Sequence, residues 1–126
     1  MRGTPRRHAL PALVLGLALG LTSLAHAGGT APDFQLKDVD GQTFVLGDHL
    51  GDKVIVLSFW ATWCGPGKAE MPHLEAMYKE LKDDGLLVVS ITVDDAKNEP
   101  LVKSTVRAGG YTFPVVLDQA YEAGNL

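Results

Sequence analysis

Apolar and polar positions recur along this chain with two different periods, and each change of period marks an element. From Phe34 the period is two. Phe34-Gln35-Leu36-Lys37 and Thr43-Phe44-Val45-Leu46 alternate on either side of Asp40-Gly41, which predicts a β-hairpin. A polar loop, Gly47 to Lys53, contains His49. Val54-Ile55-Val56-Leu57-Ser58-Phe59-Trp60 is almost wholly apolar and rich in β-branched residues, the pattern of a strand buried on both faces.

The period lengthens from Lys68 to Asp84. Met71, Leu74, Tyr78 and Leu81 fall on one helical face, with Lys79, Glu80, Lys82 and Asp83 largely on the other. Pro72 predicts a bend, and Gly85 a stop. Leu86 to Val93 is a second apolar strand, closed by Asp94-Asp95. A second helix is predicted from Asn98 or Glu99, with Pro100 tolerated in its first turn. Its apolar face is Leu101, Val102, Thr105 and Val106, and Gly109-Gly110 ends it. Thr112 to Leu117 forms a third strand, which Pro114 restricts to a sheet edge or makes the start of the strand. Asp118 to Leu126 reads as the beginning of another helix. The alternation of strands and helices after a hairpin predicts one α/β domain over residues 28–126. Its central sheet is mainly parallel and flanked by helices.

Residues 1–27 have a different character. Arg2, Arg6 and Arg7 precede an apolar run from Leu10 to Leu24, and Ala25-His26-Ala27 has the small-x-small form of a cleavage site. The run is shorter than the roughly 20 residues of a spanning helix. The expected reading is a cleaved signal peptide and a periplasmic or secreted product; an uncleaved membrane anchor is the alternative. Without this segment, eight basic residues face 15 acidic ones, a net charge of −7. That balance argues against nucleic acid or an anionic membrane surface as partner.

The chain has one cysteine among its 126 residues. Exported cysteines usually pair, so a single one points to an intermolecular disulfide, here a dimer through Cys64, or to a reactive thiol. Cys64 lies in Trp60-Ala61-Thr62-Trp63-Cys64-Gly65-Pro66-Gly67-Lys68, where an apolar strand gives way to a helix. The first turn of a helix carries unpaired N–H groups and partial positive charge. A thiolate there is expected to be stabilised relative to a free cysteine of pKa about 8.5. His49 and His73 have no clustered partners of the kind a metal site needs, so no metal or cofactor is expected and both are read as solvent-facing. Asp94-Asp95 reads as a strand-end cap.

Trp60-Ala-Thr-Trp-Cys-Gly-Pro, followed by Lys68-Ala-Glu-Met-Pro72, resembles the thioredoxin superfamily. More narrowly it resembles the exported TlpA/ResA-like thiol:disulfide oxidoreductases with an AhpC/TSA-redoxin-like domain. The likeness extends over residues 31–126 through the Ala31-Pro-Asp-Phe-Gln-Leu opening, the Asp40-Gly41 hairpin, the Val54–Phe59 strand and Thr112-Phe-Pro-Val. It implies a thioredoxin-like fold, with Cys64 as the nucleophile that attacks client protein disulfides and a membrane thiol reductase as a candidate electron donor. Trp60, Trp63, Gly65, Pro66 and Gly67 shape the site, the tryptophans shielding one side of the sulfur. Glu70 falls where the family places a carboxylate that tunes the cysteine. Ser58 falls where many thioredoxins place a buried acid, and is read here as a core hydroxyl bonded to backbone.

Two departures qualify this reading. The second cysteine of the family's Cys-x-x-Cys is Gly67 here. The family's Gly-x-Pro-Thr segment, with its cis-proline, would follow Leu126; Pro114 matches an earlier inserted strand instead. The expectation is therefore an impaired or monothiol oxidoreductase, a fragment or degenerate copy with an open apolar edge at Val54–Phe59. The alternative is a non-catalytic binding module of the same fold. A peroxiredoxin-like peroxidase fits less well. The Pro-x-x-x-Thr-x-x-Cys spacing of peroxidatic cysteines meets Leu57 and Ala61 at the proline and threonine positions.

Overall fold

The computed structural model describes residues 31–124. Residues 1–27, read as a signal peptide, and the last two residues lie outside them. The fold is an α/β thioredoxin-like arrangement. Among the described residues five strands form one sheet: β1 (Gln35–Asp38), β2 (Thr43–Val45), β3 (Val54–Trp60), β4 (Leu86–Thr92) and β5 (Val115–Leu117), in the order β2-β1-β5-β4-β3. The predicted hairpin pairs Leu36 with Phe44, and Gly41 takes the left-handed backbone of its turn, with φ +82°. β3 and β4 run parallel with Ser58 beside Ser90, β4 and β5 also run parallel, and β5 meets β1 antiparallel.

Helix α1 (Gly65–Leu81) connects β3 to β4, and α2 (Glu99–Gly109) connects β4 to β5. Each crossover steps the same way across the sheet, so right-handed connections place both helices on one face. Met71 and Leu74 of α1 and Val102 and Val106 of α2 share a core cluster with Trp60, Val88, Phe113 and Val115. The opposite face buries Leu87, Val89, Ile91 and Val116 against Phe34, Leu36, Phe44, Leu46 and Ala123.

Several expectations are corrected by this packing. β3 is not buried on both faces. It lies at the sheet edge, with Leu57 36% and Phe59 46% exposed on the helix-free face, because the residues that cover that face sit mainly over β1, β5 and β4. The open apolar edge is present among the described residues. Of the two readings of Pro114 the strand start holds: the proline stands just before the first residue of β5, which is an interior strand and not an edge. α1 begins at Gly65 rather than near Lys68 and runs through Pro72 without a break. Its buried face contains Glu75, while Leu81 is exposed. Leu101 of α2 also faces solvent. Residues 118–124 form a turn rather than a helix, because the buried Asp118 carboxylate accepts the N–H groups of Glu122, Ala123 and Gly124. That side chain takes the donors that would open a helix, a familiar competition for aspartate.

Candidate functional site

The carboxyl end of β3 and the amino end of α1 meet at the sole cysteine. Trp60 closes the strand and is buried; its carbonyl accepts the Val93 N–H at 3.0 Å. Ala61 and Thr62 are also buried. Cys64 is the N-cap of α1, in extended backbone at φ −95°, ψ 99°. Its N–H donates to the Ala61 carbonyl at 3.0 Å, and its carbonyl accepts the Lys68 N–H at 3.1 Å. Pro66 occupies the first turn, where its missing N–H leaves no helical bond unmade. That turn contains no acidic residue, so nothing on it offsets the positive end of the helix dipole. The Cys64 side chain is half-buried.

Gly67 faces this sulfur. A Cβ built on it would lie 3.4 Å from Cys64 Sγ and 3.0 Å from Trp60 Cβ. The position that carries the second cysteine in the resembled family is therefore next to the first one here, and it holds only hydrogen. Trp60 and Trp63 part company. Trp60 packs beneath the turn, whereas Trp63 is 71% exposed, so it forms no wall of a buried cleft.

Glu70 and Ser58 are brought together. Glu70 is on the exposed side of α1, yet its Oε2 accepts the Ser58 hydroxyl at 2.9 Å. The expected serine-to-backbone bond is thus replaced by a serine–carboxylate pair, because Ser58 points to the sheet face that α1 covers. His73 is exposed, as expected. His49 is half-buried and stacks on Phe44 with ring centroids 5.0 Å apart, so it serves packing rather than facing solvent. Among the described residues, no group of three or more His, Cys, Asp or Glu is placed to hold a metal, and no helix is long and apolar enough to cross a membrane.

Asp94 was expected only to cap a strand. It is buried just after β4, and its carboxylate accepts the N–H of Thr62 at 2.8 Å and the Thr62 hydroxyl at 2.6 Å. Thirty-two positions separate the two residues, so no local pattern could have paired them. The one available signal was an acid at the end of a strand parallel to the one that leads into the cysteine turn.

A family model described as the AhpC/TSA family matches residues 27–125. The thiol-disulfide oxidoreductase ResA of Oceanobacillus iheyensis is 42% identical over 103 residues, which is 79% of this chain and 52% of that protein. ResA of Geobacillus kaustophilus is 35% identical over 129 residues, covering 90% of this chain and 72% of that one. A solved thiol:disulfide interchange protein of the thioredoxin family, from Chlorobium tepidum, matches with a TM-score of 0.64 at 28% identity. That match covers 76% of this chain and 67% of the other. The chain spans between about half and two thirds of the length of the first of these curated relatives.

Proposed function

This chain belongs to the AhpC/TSA family, and we propose that it is an exported thiol:disulfide exchange protein that works through one sulfur, Cys64. The observation that carries the reading is the half-buried Cys64 at the N-cap of α1, with bare Gly67 beside its sulfur. The Cys64 thiolate attacks one sulfur of a client disulfide. A bond forms between Cys64 and the client, the client's other sulfur leaves as a thiolate, and that thiolate takes up a proton. In a dithiol enzyme a neighbouring thiol would then attack the mixed disulfide. Position 67 has no sulfur to do so, so an external thiol resolves the intermediate. A thiol reductase in the membrane is the proposed donor when the net reaction is reduction. Residues 1–27 would direct export, residues 28–126 would form the working domain, and a disulfide between two copies through Cys64 would be the resting oxidised form.

Insulin reduction with dithiothreitol, comparing wild type with Cys64→Ser, tests this reading. Wild type is expected to accelerate insulin precipitation and the variant to match the protein-free rate. Equal rates for the two proteins would remove the catalytic role. Trapped mixed disulfides and the disulfide-linked dimer are to be sought on non-reducing gels.

A second reading, a non-catalytic binding module, is favoured by the exposed Trp63 and Phe59 beside the turn. It requires client capture to survive Cys64→Ala. Capture that depends on Cys64 and reverses with reductant would end it.

A further inference from the structure

The turn that carries Cys64 is tied to a buried carboxylate. Asp94 is 1% exposed. Its Oδ2 accepts the Thr62 N–H at 2.8 Å and the Thr92 hydroxyl at 2.6 Å. Its Oδ1 accepts the Thr62 hydroxyl at 2.6 Å and the Asn98 side-chain amide at 3.4 Å. Thr62, two residues before Cys64, supplies two of these four donors. The other ties of the segment join backbone groups, at the carbonyls of Trp60, Ala61 and Cys64. Burial pushes the Asp94 carboxyl up. The hydrogen bonds from Thr62, Thr92 and Asn98 outweigh that and hold it below the ordinary aspartate range. The carboxylate is therefore charged, and charge-assisted hydrogen bonds are about twice as strong as neutral ones.

We infer that Asp94 is a positioning residue for Cys64: by clamping Thr62 it fixes the backbone from Ala61 to Cys64 and sets the sulfur at the start of α1. The inference rests on the proposed exchange chemistry of Cys64. Its physical basis is the buried Thr62 N–H. Without an acceptor that group loses its hydration and gains nothing. The turn would move to bring it to water, and the sulfur, two residues on, would move with it.

Two sets of substitutions separate geometry from charge. Asp94→Ala removes every acceptor. Asp94→Asn retains one oxygen for the Thr62 N–H and the Thr92 hydroxyl. Its new amide can donate to the Thr62 hydroxyl, which accepts as readily as it donates, and Asn98 can turn its own oxygen toward that amide. The clamp then persists without the charge. Thr62→Val removes one bond and Thr62→Ser keeps it.

The experiment is the second-order rate of Cys64 with dithiodipyridine, a neutral disulfide, on the full chain at fixed pH, with folding followed by circular dichroism. Asp94→Ala is expected to slow the reaction about tenfold, the equivalent of one hydrogen bond to a charged group. Asp94→Asn is expected to recover most of that loss. Thr62→Val is expected to slow it about threefold, and Thr62→Ser to recover it. A folded Asp94→Ala that reacts at or above the wild-type rate overturns the inference. So does an Asp94→Asn as slow as Asp94→Ala, which would make the charge and not the geometry responsible. Should Asp94→Ala not fold, Thr62→Val decides, and an unchanged rate there overturns the inference. These failures leave the exchange reading standing if wild-type Cys64 reacts faster than it does in urea-unfolded chain. If it does not, both fall together.

Discussion

Gly67→Cys tests the geometry of the turn most directly. The substituted Cβ would lie 3.4 Å from Cys64 Sγ, and a disulfide, with its S–S bond of about 2.04 Å, holds each Cβ about 3.0 Å from the partner sulfur, so an adjustment of a few tenths of an ångström closes the bond. The new thiol is thus within bonding reach once it takes a suitable rotamer. Closing a ring of four residues removes about 1.9 kcal/mol of unfolded-chain entropy at 25 °C. Replacing glycine by cysteine inside a helix adds only about 0.3 kcal/mol. Against this, the Cβ meets Trp60 Cβ at 3.0 Å. Trp60 is fully packed, so relieving that contact costs about 1–3 kcal/mol. The oxidised variant is therefore expected to lie within about 1 kcal/mol of wild type in stability, with a urea midpoint that falls on reduction, when the ring-closure contribution is lost. Kinetically, an internal thiol replaces an external one in the resolving step. Insulin turnover at catalytic dithiothreitol should rise about tenfold or more, since intramolecular attack avoids a second encounter. Thiol titration after mild oxidation should find neither cysteine free in the folded variant. Two titratable thiols would show that position 67 does not face the sulfur, and the reasoning would be refuted. A disulfide that forms without any gain in turnover would refute the claim that resolution limits the wild-type protein.

Other outcomes follow from the same packing. The buried Glu75 carboxylate accepts both the N–H and the hydroxyl of Thr112 at 2.8 Å and pairs with Lys79 at 3.1 Å. Glu75→Ala should cost about 2–4 kcal/mol in urea unfolding, by releasing the segment that leads into β5 from α1. Burial raises the Glu75 carboxyl, but the bonds from Thr112 and Lys79 outweigh it, so both Glu75 and Asp94 titrate below their ordinary values in the folded chain. The unfolded chain then binds protons more readily. This contribution to stability is whole above the ordinary carboxylate pKa of about 4 and is lost as pH falls through the depressed folded values. Urea midpoints between neutral and acid pH should decline there, and less steeply in Glu75→Gln. At the sheet edge, Leu57→Lys should reduce self-association in light scattering, since an edge lysine discourages strand pairing. Its stability should stay within about 0.5 kcal/mol of wild type.

What the sequence by itself determined was local. Alternation around Asp40-Gly41 set the hairpin, the apolar run at residues 54–60 set β3, and the 3.6-residue spacing of Met71 and Leu74 set the inward face of α1. The Trp-Cys-Gly-Pro turn and the absence of a cysteine at position 67 were equally legible. Each depends on residues close together in the chain, and a short window contains the whole cause. Tertiary structure decided the rest, because burial depends on what lies across the sheet. The same apolar pattern describes an interior and an edge strand, so only the strand order shows that Phe59 is open while Val89 is sealed. Leu81 and Leu101 have the hydropathy of core residues but are exposed in the fold. Glu75 reads as a surface charge and is buried because Thr112 arrives opposite it, 37 positions later. Asp94 reaches Thr62 for the same reason: parallel pairing of β3 with β4 brings their carboxyl ends side by side, and no pattern along the chain encodes that distance.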